Sequence, residues 1–116
     1  MSLEHRLTPD DALLTEAADT LKLIAEPTRL HLLFLLLDAE RNVSDLVDLS
    51  GASRTLVSQH LAKLRLGGLV GNRREGRNVY YRVADGHVGR LVVETLSRAE
   101  HVRSGEPMHE GTPPRR

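Results

Sequence analysis

The stretch SDLVDLSGASRTLVSQHLAKLRLGG, residues 44–68, decides the fold. Ser44 opens a short helix over Asp45 to Leu49, and Gly51 ends it, since glycine enters the left-handed backbone region at least cost. Ser53 caps a second helix, Arg54 to Leu66, which stops at Gly67-Gly68. Two helices joined by a tight turn at Gly51-Ala52 form the helix-turn-helix pattern. In the second helix Leu56, Val57, His60, Leu61 and Leu64 recur at helical spacing and face a core. Arg54, Thr55, Ser58, Gln59 and Lys63 remain on the opposite surface, where their donors suit base edges and phosphates.

Downstream the period changes. Leu69-Val70-Gly71 and Val79-Tyr80-Tyr81-Arg82-Val83 read as two strands, with residues 73–78 as the turn between them. A hairpin carrying Arg73, Arg74 and Arg77 at its tip is a wing, placed to neutralise phosphates beside the reading helix. A last helix runs from about Asp85 to Arg103, with an apolar stripe of Val88, Leu91, Val92, Thr95, Leu96 and Ala99. That stripe is broad for a terminal helix, and the surplus reads as a dimer face. Upstream, Thr8-Pro9 introduces a helix from Asp10 to Ala25, and Pro27 starts another that fades near Arg41. Apolar residues on nearly every side of that second helix mark it as the central buried one.

The expected architecture is therefore α+β, mainly α: a homodimeric winged helix-turn-helix in the order α-α-α-α-β-β-α. Residues 1–9 form an N-terminal extension, residues 10–103 the DNA-binding and dimerisation domain, and residues 104–116 a flexible tail rich in Gly and Pro.

Charge points the same way. The chain of 116 residues has a formal net charge of zero, which alone argues against nucleic acid. Its distribution argues for it. Residues 1–52 carry 4 basic and 10 acidic side chains, whereas residues 53–82 carry 7 basic and one acidic. The positive excess is confined to the second helix of the pair and the hairpin, as expected of a local polyanion footprint. There are no cysteines, hence neither disulfides nor thiolate metal sites. No apolar run is long enough for a membrane span, and a cytoplasmic protein is expected. The HExxH, P-loop, nucleophile-elbow and GxGxxG signatures of common enzymes are absent from the sequence, and the expectation is a non-enzyme.

The chain resembles the ArsR/SmtB family of winged-helix transcriptional regulators. Ala25-Glu26-Pro27-Thr28-Arg29, Val57-Ser58-Gln59-His60-Leu61-Ala62-Lys63-Leu64, Gly68-Leu69-Val70, Arg73-Arg74-Glu75-Gly76-Arg77 and Val79-Tyr80-Tyr81 carry the likeness, in order, over about residues 12–103. The resemblance implies a homodimer on an imperfect palindrome in double-stranded promoter DNA, with repression relieved by an inducer. The candidate DNA-binding residues are Ser53, Arg54, Thr55, Ser58, Gln59, His60, Lys63, Arg73, Arg74 and Arg77. Among these His60 lies on the apolar face, which favours a packed, hydrogen-bonded histidine over a base reader.

The resemblance also implies where an inducer would act. The family's cysteine site on the third helix is absent here, where Asn42 and Ser44 stand. A second family site uses the last helix: Asp85 and His87 match its start, and His101 its end, while Arg98 replaces a ligand. Glu100-His101 followed by His109-Glu110 resembles the nickel- and cobalt-sensing branch, although Glu110 stands in place of a second tail histidine. The implied metal set is Asp85, His87, Glu100, His101 and His109, with nickel or cobalt as the ion and zinc as an alternative. Helix geometry places His87 and His101 about 21 Å apart, so one ion can meet both only across an antiparallel pair of chains. Two bland readings stand beside this: a surface helix with scattered polar residues, and a regulator answering another inducer or a partner protein.

Overall fold

The computed structural model describes residues 7–105. The expected tail beyond Gly105, with His109, and the first six residues of the expected N-terminal extension lie outside the described residues. Helix α1 spans Asp11–Ile24, α2 Pro27–Leu35, α3 Val43–Ser50, α4 Arg54–Leu66 and α5 Gly86–Ser104. Strands β1 (Arg41–Asn42), β2 (Val70–Glu75) and β3 (Asn78–Val83) form one antiparallel sheet in the order β1-β3-β2.

Each helix start is fixed by a side chain that takes an orphan backbone N–H. Asp10, rather than the expected Thr8-Pro9 pair, accepts from Leu13 N and caps α1. Glu26 accepts from Arg29 N at 2.8 Å and caps α2, with Pro27 in the first position. Asn42, rather than Ser44, caps α3 through a reciprocal pair with Asp45. Ser53 caps α4 as expected, its Oγ accepting from Leu56 N at 3.1 Å.

Helix α2 ends six residues earlier than its hydrophobic run predicts. Its last turn tightens, with Leu36 N–H reaching back to Leu32, Leu33 and Phe34. The Arg41 Nε donates to Leu35 O at 2.6 Å, satisfying a carbonyl at the helix end. Arg41 and Asn42 are thereby released to pair with Tyr81 and Tyr80 as a third strand that the sequence pattern did not reveal. The hairpin also differs from expectation. β2 and β3 pair from Val70↔Val83 to Glu75↔Asn78, leaving only Gly76-Arg77 as the turn. Gly76 has φ 63°, the value a two-residue turn with glycine first requires. Arg73 and Arg74 therefore stand on a strand, and Arg77 alone sits at the tip.

The core gathers around α2, which packs against α1, α3, α4 and α5. Leu32, Leu33, Leu46, Val57, Leu61, Leu64 and Val92 are fully buried, each contributing about 1.5–3 kcal/mol if taken from full exposure. Burial on α2 is one-sided, however: Phe34 is 49% exposed. Leu56 of α4, expected in the core, is 37% exposed. On α5 only Val88 and Val92 of the apolar stripe are buried. The remainder borders two adjoining grooves, of about 410 and 540 Å³, that share Pro27 and Leu30. Helix α1 adds the exposed leucines Leu13, Leu14 and Leu21, and Leu21 lines the smaller groove.

Candidate nucleic-acid interface

Helix α4 leans on the core through Val57, Leu61 and Leu64 and presents Arg54, Thr55, Ser58, Gln59 and Lys63 to solvent. That separation follows from the 3.6-residue period of the sequence. The guanidinium of Arg54 donates to Ser44 Oγ at 2.8 Å, tying the first turn of α4 to α3 and fixing the angle between the two helices. Ser53 is committed to its capping hydrogen bond.

His60 is a correction to the candidate set. It is only 8% exposed, because its position places it among the core-facing residues of α4. Its Nδ1 lies 3.2 Å from Arg29 Nη1, and its Nε2 lies 3.7 Å from Glu26 Oε1. Arginine can only donate, so Nδ1 accepts and Nε2 carries the proton toward the carboxylate. The Glu26 carboxyl titrates below its ordinary value of 4.5, chiefly because Arg29 N–H donates to it, with His60 and Arg29 adding attraction. The one sequence signal at Arg29 is its place in the motif that opens α2.

In the wing Arg74 and Arg77 are exposed. Arg73 is engaged within the chain. Its Nε donates to Glu40 Oε1 at 2.8 Å, its Nη1 to Glu75 Oε1 at 2.6 Å, and its guanidinium lies 5.0 Å from the Tyr80 ring centre. These contacts raise its pKa, the Glu75 hydrogen bond most and the Glu40 hydrogen bond next. At the far end of the hairpin Arg74 and Arg77 are thus exposed to solvent, while Arg73 is already matched by carboxylates.

Residues 26–71, which span α2 to the start of β2, match the family model for the arsR family of bacterial regulatory proteins. Over 101 residues the chain is 39% identical to the HTH-type transcriptional regulator KmtR of Mycobacterium tuberculosis, covering 87% of this chain and 77% of that protein. The chain belongs to the ArsR family. A second family relative, the transcriptional repressor SmtB of Mycobacterium tuberculosis, is 36% identical over 91 residues, 78% of this chain and 67% of that protein. The backbone matches a homodimeric winged helix-turn-helix DNA-binding domain from Mycobacterium bovis with a TM-score of 0.75 at 36% identity, covering 87% of this chain and 96% of that one. This ArsR-family chain is accordingly a winged helix-turn-helix transcriptional regulator, and its family consists of DNA-binding regulators rather than enzymes. No helix among the described residues is long and apolar enough to cross a membrane.

The candidate metal ligands lie along α5. Asp85 caps the helix, its Oδ1 accepting from Val88 N at 3.0 Å. His87 is exposed in the first turn. Glu100 is exposed near the far end, and His101 beside it is partly buried in a recess shared with Ser97 and Ser104. Among the described residues no three His, Asp or Glu side chains of one chain come together. The residues therefore fit an ion only as two half-sites: an imidazole at one end of α5 and an imidazole with a carboxylate at the other. Imidazole and carboxylate donors are of the kind that first-row divalent metals, zinc included, accept.

Proposed function

We propose that the chain is a homodimeric repressor that reads promoter duplex DNA with α4 and the β2–β3 wing and is relieved by nickel or cobalt bound across the dimer. The observation that carries the DNA reading is that Arg54, Ser58, Gln59, Lys63, Arg74 and Arg77 are all exposed on one helix–hairpin unit of an otherwise acidic or neutral chain. Ser58 and Gln59 are the base readers; Arg54, Lys63, Arg74 and Arg77 neutralise phosphates. The name of the SmtB relative supports repression.

Dimerisation is supported by the unburied apolar face of α1 and α5 and by the dimeric state of the related domain. An antiparallel α5 pair brings His87 and Asp85 of one protomer to Glu100 and His101 of its partner, with His109 of the tail completing the set. A metal ion held there supplies a rigid link between the two α5 helices. Since reading helices must sit about 34–36 Å apart to enter successive major grooves, a small change in that packing separates them from their half-sites.

A second reading, regulation by a different inducer, is favoured by the absence of a three-ligand group within the described residues of one chain. Fluorescence anisotropy on the chain's own upstream DNA, with and without nickel, cobalt or zinc, tests both. Salt-sensitive binding weakened by nickel or cobalt is expected. Binding indifferent to every metal leaves the second reading.

A further inference from the structure

The three helices that must agree for DNA to be read meet at one side chain. The Arg29 guanidinium donates through Nε to Leu23 O at 2.5 Å and through Nη2 to Lys22 O at 3.5 Å. Those carbonyls belong to the last turn of α1 and have no helical partner of their own. A cation there also meets the negative end of the α1 dipole. Arg29 itself rides in the first turn of α2, and its Nη1 donates to His60 Nδ1 in the middle of α4. Glu26 closes the arrangement, accepting from Arg29 N and facing His60 Nε2.

Resting on the reading of α4 as the DNA-contacting helix, we propose that Arg29 is a positioning residue for base recognition, setting the roll of α4 through the Nδ1 of His60. The apolar contacts of Val57, Leu61 and Leu64 hold α4 against the core, but burial is non-directional and tolerates small rotations. The hydrogen bond to His60 is directional, and the planar arginine fork has its orientation fixed by the α1 carbonyls. The sensitivity is geometric. At a helix radius of about 5–6 Å, a roll of about 10° moves a side-chain tip by about 1 Å. That displacement takes Gln59 and Ser58 out of the narrow distance window of a base-edge hydrogen bond. Because the other hand of Arg29 holds α1, whose exposed leucines belong to the proposed dimer face, a shift of α1 reaches α4 through the same side chain.

Two substitutions at His60 separate positioning from mere filling. Asparagine offers an acceptor where Nδ1 stands, whereas glutamine extends its polar atoms to the Nε2 end. The probes are a duplex that the wild-type protein enriches from a random pool and a random duplex of equal length, read by anisotropy at one salt concentration. His60→Asn is expected to keep the selected-to-random affinity ratio within about twofold. His60→Gln and Arg29→Met are expected to lower it about tenfold, the size of one lost charge-assisted hydrogen bond. Affinity for random duplex and its salt dependence should not move, since these come from phosphate contacts. Should Arg29→Met fail to fold, the two His60 variants carry the test. A wild-type ratio in His60→Gln, or equal losses on both duplexes, overturns the proposal. So does an imidazole ¹⁵N spectrum with the proton on Nδ1. If the wild-type protein enriches no duplex at all, it is the DNA-reading function that fails first, an outcome distinct from the others.

Discussion

Arg73 Nε donates to Glu40 Oε1 at 2.8 Å, fastening β2 of the wing to the loop that follows α2, 33 residues away in the chain. Together with Glu75 this leaves Arg73 with its charge already matched, while Arg74 and Arg77 face solvent. Arg73, Arg74 and Arg77 are therefore unequal. Arg74→Ala is expected to lower the slope of log affinity against log salt by about one unit, the loss of one phosphate contact. Arg73→Ala should lower it by clearly less, and Glu40→Gln should raise it by releasing Arg73. Equal slopes for the two alanine variants would show that Arg73 leaves its carboxylates when DNA arrives.

Gln59 is exposed on α4, one residue from buried His60. Gln59→Ala should cost about 1–3 kcal/mol on the preferred duplex and little on random duplex. Titrating both duplexes by anisotropy checks this. Matching losses on the two would assign Gln59 to the phosphate backbone.

His87 and His101 occupy opposite ends of α5 and neither supports the core. His87→Ala and His101→Ala should each leave DNA affinity unchanged without metal and abolish its response to nickel or cobalt. A mixture of the two variants should recover part of the response, because a mixed dimer retains one intact cross-chain site. Calorimetric titration of metal into each variant and into the mixture reads this directly; undiminished uptake by both variants would place the site elsewhere.

The Glu26 cap makes α2 sensitive to acid. Its carboxyl is lowered below 4.5 mainly by the backbone hydrogen bond from Arg29. A depressed carboxylate stabilises the fold above the unfolded value, and that contribution disappears as pH falls through the folded value. Melting temperature should therefore drop on acidification below about 4.5. Glu26→Gln should melt lower than wild type near neutrality and show a shallower acid slope.

Gly51 closes α3 at φ 76° with open space where a Cβ would lie, whereas Gly86 in the first turn of α5 has open space and no positive φ. Gly51→Ala should destabilise the fold by about 1–2 kcal/mol through backbone strain alone. Gly86→Ala should be neutral or stabilise by about 0.4–1 kcal/mol. Urea unfolding of the two variants provides the contrast, and a harmless Gly51→Ala would mean that the turn adapts.

What was legible in the sequence was what local chemistry dictates. Gly51 and Ser53 marked the ends of α3 and α4 because a left-handed closure and an N-cap need those residue types whatever surrounds them. The core face of α4 followed from period at Val57, His60, Leu61 and Leu64, but not at Leu56, which is 37% exposed. The premature end of α2 did not, because Leu35, Leu36 and Leu37 look equally helical; it is Arg41, reaching back to Leu35 O, and the pairing of Arg41 with Tyr81 that stop the helix. The wing differs in detail from its sequence pattern because a run of charged residues reads as loop, whereas the two-residue turn at Gly76 lets the same residues pair as strand. The Arg73–Glu40 and Arg29–His60 contacts join residues more than thirty apart. No local pattern encodes such a partner.

β2 has a neighbour on one side only, since β3 lies between it and β1. Its outer margin is a row of backbone groups open to any extended chain that drifts by. The guanidinium groups of Arg73 and Arg74 stand on that strand, and charge at such a margin discourages sheet growth from one molecule to the next. Charge at Arg73 and Arg74 is thus expected to keep the wing from pairing with a second copy of itself. Swapping them for valine or isoleucine would leave an uncharged, β-prone margin open to self-pairing.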